Sequence, residues 1–154
     1  MATKLKTGDK APSFSVKDHG GQEVSLENLK GKKVILYFYP KDNTPGCTSE
    51  ACSLRDGYDR LLDAGFVVVG VSPDSERSHR NFAEKHNLPF HLIADTEKNM
   101  LKAYGAWGEK KMYGKSYEGV IRTTFVISED GIIEHVIPKV DTKNHAEQIM
   151  ALYN

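Results

Sequence analysis

The chain has 154 residues, with 21 basic and 21 acidic side chains and a formal net charge of zero. That length suits one domain, residues 1–154, around one hydrophobic core. Balanced charge leaves no electrostatic footprint for nucleic acid or for an anionic membrane surface.

The first residues, Met1 to Lys6, lack the apolar stretch of a secretory signal. Phe14 to Lys17 alternates and ends at Gly20-Gly21, a turn leading into Val24-Ser25-Leu26, so an N-terminal β-hairpin is expected. Val34 to Phe38 is an apolar run that reads as a buried strand. A helix from about Pro45 to Ala64 follows and stops at Gly65. Phe66 to Ser72 is a second buried strand, and Asp74 or Ser75 caps a helix running to about Asn87. Phe90 to Ala94 is a short strand, followed by a helix near Glu97 to Tyr104. Residues 105–121 have no clear period and read as an irregular loop. Asp130-Gly131 between two β-rich runs, Thr123 to Ile127 and Ile132 to Ile137, is a strong hairpin signal. A terminal helix covers about Asn144 to Leu152.

Buried strands alternating with helices imply an α/β fold whose sheet is covered on both faces, and the late hairpin makes that sheet mixed. The longest aliphatic run, Phe66 to Val71, is too short to span a bilayer. A soluble, cytoplasmic protein is expected. Two cysteines are too few for a secreted disulfide scaffold; in a reducing compartment a close pair reads as redox or metal chemistry. The six histidines show no ligand spacing, so neither a metal nor any other cofactor is expected.

Chemistry concentrates between Tyr39 and Cys52. Thr44-Pro45 fits an N-cap followed by proline at the first helical position. Cys47 then falls in the first helical turn, where unpaired N–H groups and the helix dipole favour an anion and bias a thiol toward thiolate. Ala51, Leu54, Tyr58 and Leu61 follow at helical spacing, which puts Cys47 on the core face and Cys52 on the polar side with Arg55 and Asp59. Cα atoms five residues apart in an α-helix are roughly 8.6 Å apart, whereas a disulfide spans about 4.4–6.8 Å. A Cys47–Cys52 disulfide therefore requires the first turns to unwind, or the two never pair. Glu50 reads as a helix-surface carboxylate, and Trp107 as a residue that either flanks the site or packs into the core.

Pro40, Thr44 and Cys47 match the Pro-x-x-x-Thr/Ser-x-x-Cys pattern without departure, and Cys52 lies five residues after Cys47. The stretch resembles the peroxiredoxin active site, and within that family the bacterioferritin-comigratory or PrxQ branch. The resemblance extends to Ala106–Gly114 and Arg122–Ile127 and covers nearly the whole chain. It implies a thioredoxin-like fold with an N-terminal hairpin extension. It also implies a thiol peroxidase acting on hydrogen peroxide and small organic hydroperoxides. Cys47 is then the peroxidatic cysteine and Cys52 the resolving one. Arg122 stabilises the thiolate and polarises the peroxide, and Thr44 donates to one peroxide oxygen and accepts from the other. Gly46 and Cys47 N–H groups hold developing charge, and Pro40 shields the sulfur. The oxidised pair is recycled by thioredoxin or a similar dithiol, and a monomer is expected.

Two other readings stay open on the residues alone. A thioredoxin-like disulfide oxidoreductase shares the framework but normally carries Cys-x-x-Cys. A redox-sensing binding module would expose Leu54 and Tyr58 when residues 45–55 unwind.

Overall fold

The computed structural model describes residues 3–153; Met1 and Ala2 of the N-terminal segment, Asn154 and the side chain of Met112 lie outside the described residues. Strands β1 (Ser15–Lys17) and β2 (Glu23–Ser25) form the expected N-terminal hairpin. The strands that build the central sheet are β3 (Lys33–Phe38), β4 (Phe66–Ser72), β5 (His91–Ala94), β8 (Thr123–Ile127) and β9 (Ile133–Ile137). Their order is β5-β4-β3-β8-β9, with β3, β4 and β5 parallel and β8 antiparallel to both neighbours. The sheet is therefore mixed, as the late hairpin implies.

Period-two burial explains how the central strand serves two cores. Ile35 and Tyr37 face one side of β3, while Val34, Leu36 and Phe38 face the other, and all five are at most 1% exposed. The first face packs against helices α1 (Pro45–Asp56), α2 (Tyr58–Asp63), α3 (Glu76–His86) and α5 (His145–Met150) through Ala51, Leu61, Phe82 and Ala146. The second face packs against α4 (Asn99–Ala103), the N-terminal hairpin and the segment before it, through Met100, Val24 and Phe14.

Two expectations are corrected, and one left open is decided. The helix expected from Pro45 to Ala64 breaks at Gly57 into α1 and α2. A Cβ at Gly57 would lie 2.7 Å from the Ala146 Cβ, so close approach of α5 excludes any larger residue there. The stretch 105–121 is not irregular: β6 (Trp107–Met112) and β7 (Lys115–Val120) form a hairpin in full register. Its turn residues, Tyr113 and Gly114, both have positive φ, as a two-residue hairpin turn requires. The hairpin meets the second core at its base, through Trp107 and Val120, and most of β7 is exposed, so no apolar alternation marks it. Trp107 belongs to the second core, donates its indole N–H to Glu118 at 2.9 Å, and does not flank Cys47.

The Asp130-Gly131 turn closes β8 on β9 as expected, with Gly131 at φ 82° and a bulge between Val126 and Ile127. None of the helices among the described residues is long and apolar enough to cross a membrane.

Candidate active site

The connection from β3 to α1 carries the site, and a buried hub holds it in place. Asp42 accepts from the Tyr39 hydroxyl at 2.6 Å, from Ser78 Oγ at 2.7 Å and from His79 Nδ1 at 2.7 Å. Its own N–H donates to Asp74 at 2.8 Å, which ties the loop to the end of β4. These bonds hold the Asp42 carboxyl below the usual carboxylate range, although burial alone would raise it. His79 Nε2 faces the Ile93 carbonyl at 3.0 Å, so both ring nitrogens are engaged. The active-site loop is thereby pinned to β4, α3 and β5 in front of the helix.

Thr44 and Pro45 occupy the N-cap and first helical positions as expected. The Thr44 hydroxyl, however, does not cap the helix; it donates to the Lys41 carbonyl at 2.9 Å. That bond engages its proton and leaves its oxygen able to accept. The first intrahelical bond is Thr48 N–H to Thr44 C=O at 2.8 Å, so the Gly46 and Cys47 N–H groups precede the hydrogen-bonded ladder. Pro40, also in this connection, is half-buried.

Cys47 is 1% exposed and lies on the core face of α1. Arg122, immediately before β8, reaches it from the opposite element: Nη2 donates to Cys47 Sγ at 3.0 Å. The same guanidinium lies against the first turn, since a Cβ at Gly46 would be 3.4 Å from Nη2. A fixed cation that donates directly to the sulfur stabilises negative charge there. Cys52 is half-buried in the third turn of the same unbroken helix, so both cysteines are free thiols.

Glu50 overturns its surface reading. It is fully buried and accepts from Arg122 Nη1, so one guanidinium bridges carboxylate and sulfur. The signal was present: Cys47, Glu50, Ala51 and Leu54 are spaced i, i+3, i+4, i+7, the same stripe that places Cys47 inward. Behind Glu50 sits His145, whose Nε2 is 3.6 Å from Glu50 Oε2 and 2.9 Å from Thr124 Oγ1. Gln148 Nε2 donates to the Lys139 carbonyl, so its oxygen faces His145 Nδ1 at 2.9 Å and Nδ1 carries the proton. Among the described residues, Glu50 Oε2 and the Tyr37 hydroxyl are the buried side-chain atoms without a hydrogen-bond partner.

This back wall keeps net charge low. Burial pushes the Glu50 carboxyl up to about 7, against the downward pull of Arg122. Burial also holds His145 down to about 4, and its bond to Gln148 offsets this only in part. The raised Glu50 contributes stability below its ordinary 4.5, lost as pH rises toward about 7. The lowered His145 contributes stability above its ordinary 6.5, lost as pH falls toward about 4. Between 4.5 and 6.5 the two slopes oppose each other. Glu50→Gln removes only the first, so the variant's Tm relative to wild type is expected to fall on acidification through that window. Thermal melts across pH check this; a difference that stays constant contradicts it.

Comparison with known proteins identifies the family. The AhpC/TSA family model matches residues 7–136. A putative peroxiredoxin bcp of Coxiella burnetii is 48% identical over 146 residues, covering 95% of this chain and 97% of that one. A cysteine-to-serine mutant of Xylella fastidiosa PrxQ superposes with a TM-score of 0.91 at 29% identity, over 99% of this chain and 97% of that chain. The Xanthomonas campestris bacterioferritin comigratory protein was solved as a trapped intermediate/ligand complex for insight into its alkyl peroxide reduction activity. It superposes with a TM-score of 0.85 at 34% identity, over 90% of this chain and 88% of that chain. With these relatives spanning nearly its full length, the chain belongs to the AhpC/TSA family and, within it, to the bacterioferritin-comigratory or PrxQ branch of the peroxiredoxins, thiol-dependent peroxidases.

Proposed function

We propose that the protein reduces hydrogen peroxide and small organic hydroperoxides at Cys47 and closes the cycle through a Cys47–Cys52 disulfide. The observation that carries this is the Arg122 Nη2 bond to Cys47 Sγ at 3.0 Å, in the first turn of α1.

The Cys47 thiolate attacks the terminal peroxide oxygen. The S–O bond forms as the O–O bond breaks, and the leaving oxygen takes a proton to become water or an alcohol. Cys47 is left as a sulfenic acid. Arg122 stabilises the sulfur before attack and the oxygen charge that develops during it. Thr44, with its proton on Lys41, accepts from the O–H of the terminal peroxide oxygen and so holds that oxygen toward the sulfur. Donation by Thr44 to the second oxygen requires release of the Lys41 carbonyl. The Gly46 and Cys47 N–H groups hold the developing charge, and Pro40 limits water at the sulfur. The alkyl peroxide reduction activity of the Xanthomonas relative supports an alkyl peroxide substrate.

Resolution follows from helix geometry. In intact α1 the Cα atoms of Cys47 and Cys52 are roughly 8.6 Å apart, beyond the reach of a disulfide at about 4.4–6.8 Å. The first turns of α1 therefore unwind, Cys52 attacks the sulfenic sulfur, and water leaves. An external dithiol of the thioredoxin type returns both thiols. The cycle takes place in a reducing compartment, the cytoplasm. A monomer suffices: the exposed large apolar side chains among the described residues are Leu62 on α2, Tyr113 and Tyr117 on the β6–β7 hairpin, and Leu152 near the C-terminus.

Cys52→Ser tests the second half. The variant is expected to gain one oxygen on Cys47 with one equivalent of peroxide but to lose no hydrogens, and to stall after one turnover with thioredoxin, its reductase and NADPH. Sustained turnover in that assay would remove Cys52 from the mechanism.

A further inference from the structure

We propose that His86 is the general base that takes the proton from Cys52 when the disulfide forms; this rests on the reading of Cys52 as the resolving cysteine. His86 closes α3, which packs beside α1. Its Nδ1 lies 3.9 Å from Cys52 Sγ, within the reach of a sulfur hydrogen bond. Both residues are half-buried.

The contact is held from both sides. Arg55, on α1 one turn beyond Cys52, donates Nη1 to the His86 carbonyl at 2.8 Å, and so clamps the end of α3 against α1. Arg55 is itself held by Asp56 at 2.9 Å. The Phe82 ring meets the imidazole edge-on at 5.1 Å and fixes its plane.

The charges around His86 suit a base. Partial burial, then Lys85 on its own helix and Arg55 from α1, lower its proton affinity, so the ring is neutral at neutral pH. A neutral imidazole whose nitrogen faces a thiol can accept that proton. The Cys52 S–H bond breaks, the proton moves to Nδ1, and the electron pair stays on sulfur. When α1 opens, this thiolate attacks the Cys47 sulfenic sulfur. The S–S bond forms, the S–O bond breaks, and the leaving hydroxide is protonated to water as His86 gives up its proton. No outside oxidant is consumed. The proton is removed while α1 is still folded, so the segment that unwinds already carries its nucleophile.

The test follows the second step by quenched-flow intact mass, in wild type, His86→Gln and His86→Phe, from pH 5.5 to 9. His86→Phe keeps a ring against Phe82 and controls for packing. In wild type, the disulfide is expected to form at a rate level through neutral pH that falls on the acid side as His86 charges. In both variants the one-oxygen intermediate should persist, with disulfide formation about tenfold or more slower at neutral pH. Their rate should climb continuously with pH, and free imidazole should restore part of it. Variants that match wild type in rate and pH profile would overturn the role of His86. Variants that resolve faster would also overturn it, by showing the contact to be a latch that holds α1 closed. A wild type that never loses two hydrogens would overturn the resolving role of Cys52 itself, and His86 with it.

Discussion

Cys47→Ser is expected to bring peroxide turnover down to that of free cysteine. Serine fills nearly the same space, and at 1% exposure the site has no room for rearrangement, so the fold and Tm should hold. The chemistry cannot survive. A serine hydroxyl is a far weaker nucleophile toward peroxide oxygen than a thiolate sulfur. Cys52 does not substitute, because its neighbour is His86 and not the guanidinium. Peroxide consumption with reductant measures this directly. Residual turnover above that of free cysteine would mean that a second group does the chemistry.

Arg122→Met is expected to slow oxidation of Cys47 by about 100–1,000-fold, the usual loss when one preorganised donor to developing charge is removed. The guanidinium does two things at once. It donates to Cys47 Sγ through Nη2 and to Glu50 Oε1 through Nη1. Removing one partner of a buried pair commonly costs about 3–5 kcal/mol. Here Glu50 has an escape, because burial already pushes it up to about 7 and it can take a proton. Without Arg122's downward pull the carboxyl moves further up, so the variant should lose stability relative to wild type as pH rises through about 7. Arg122→Lys separates charge from geometry: one ammonium cannot span sulfur and carboxylate as the planar fork does. Its oxidation rate should fall between wild type and Arg122→Met. Stopped-flow oxidation by hydrogen peroxide gives the rates. A methionine variant that reacts like wild type would remove Arg122 from the transition state.

Much of this was legible in the residues, for physical reasons that differ from element to element. β3 and β4 are buried on both faces, so their apolar runs stand out. Asp130-Gly131 marks its hairpin because few other residues accept that turn. The β6–β7 hairpin was not legible because most of β7 is exposed, and strand pairing held by backbone bonds leaves no hydrophobic pattern. The need for glycine at the break, Gly57, comes from the approach of Ala146, nearly ninety residues away, which local propensity cannot register.

The site divides in the same way. Cys47, Thr44 and Cys52 are local in sequence, and helical periodicity orients them. Glu50 was readable on the same stripe; a bias that carboxylates belong outside hid it. Arg122 had no local signal and came only through family resemblance. The Asp42 hub, the His145 wall and the Cys52–His86 contact join segments more than twenty residues apart, and only the fold brings them together.

The central claim is that Cys47 reacts with peroxide at the Arg122-lined helix terminus and that Cys52 then completes a disulfide. One measurement addresses it most directly. Fully reduced protein is mixed with one equivalent of hydrogen peroxide, and its intact mass is followed over seconds. Loss of two hydrogens, far faster than free cysteine reacts, is the predicted result. Unchanged mass on that timescale would contradict the account, because both thiols would then be ordinary.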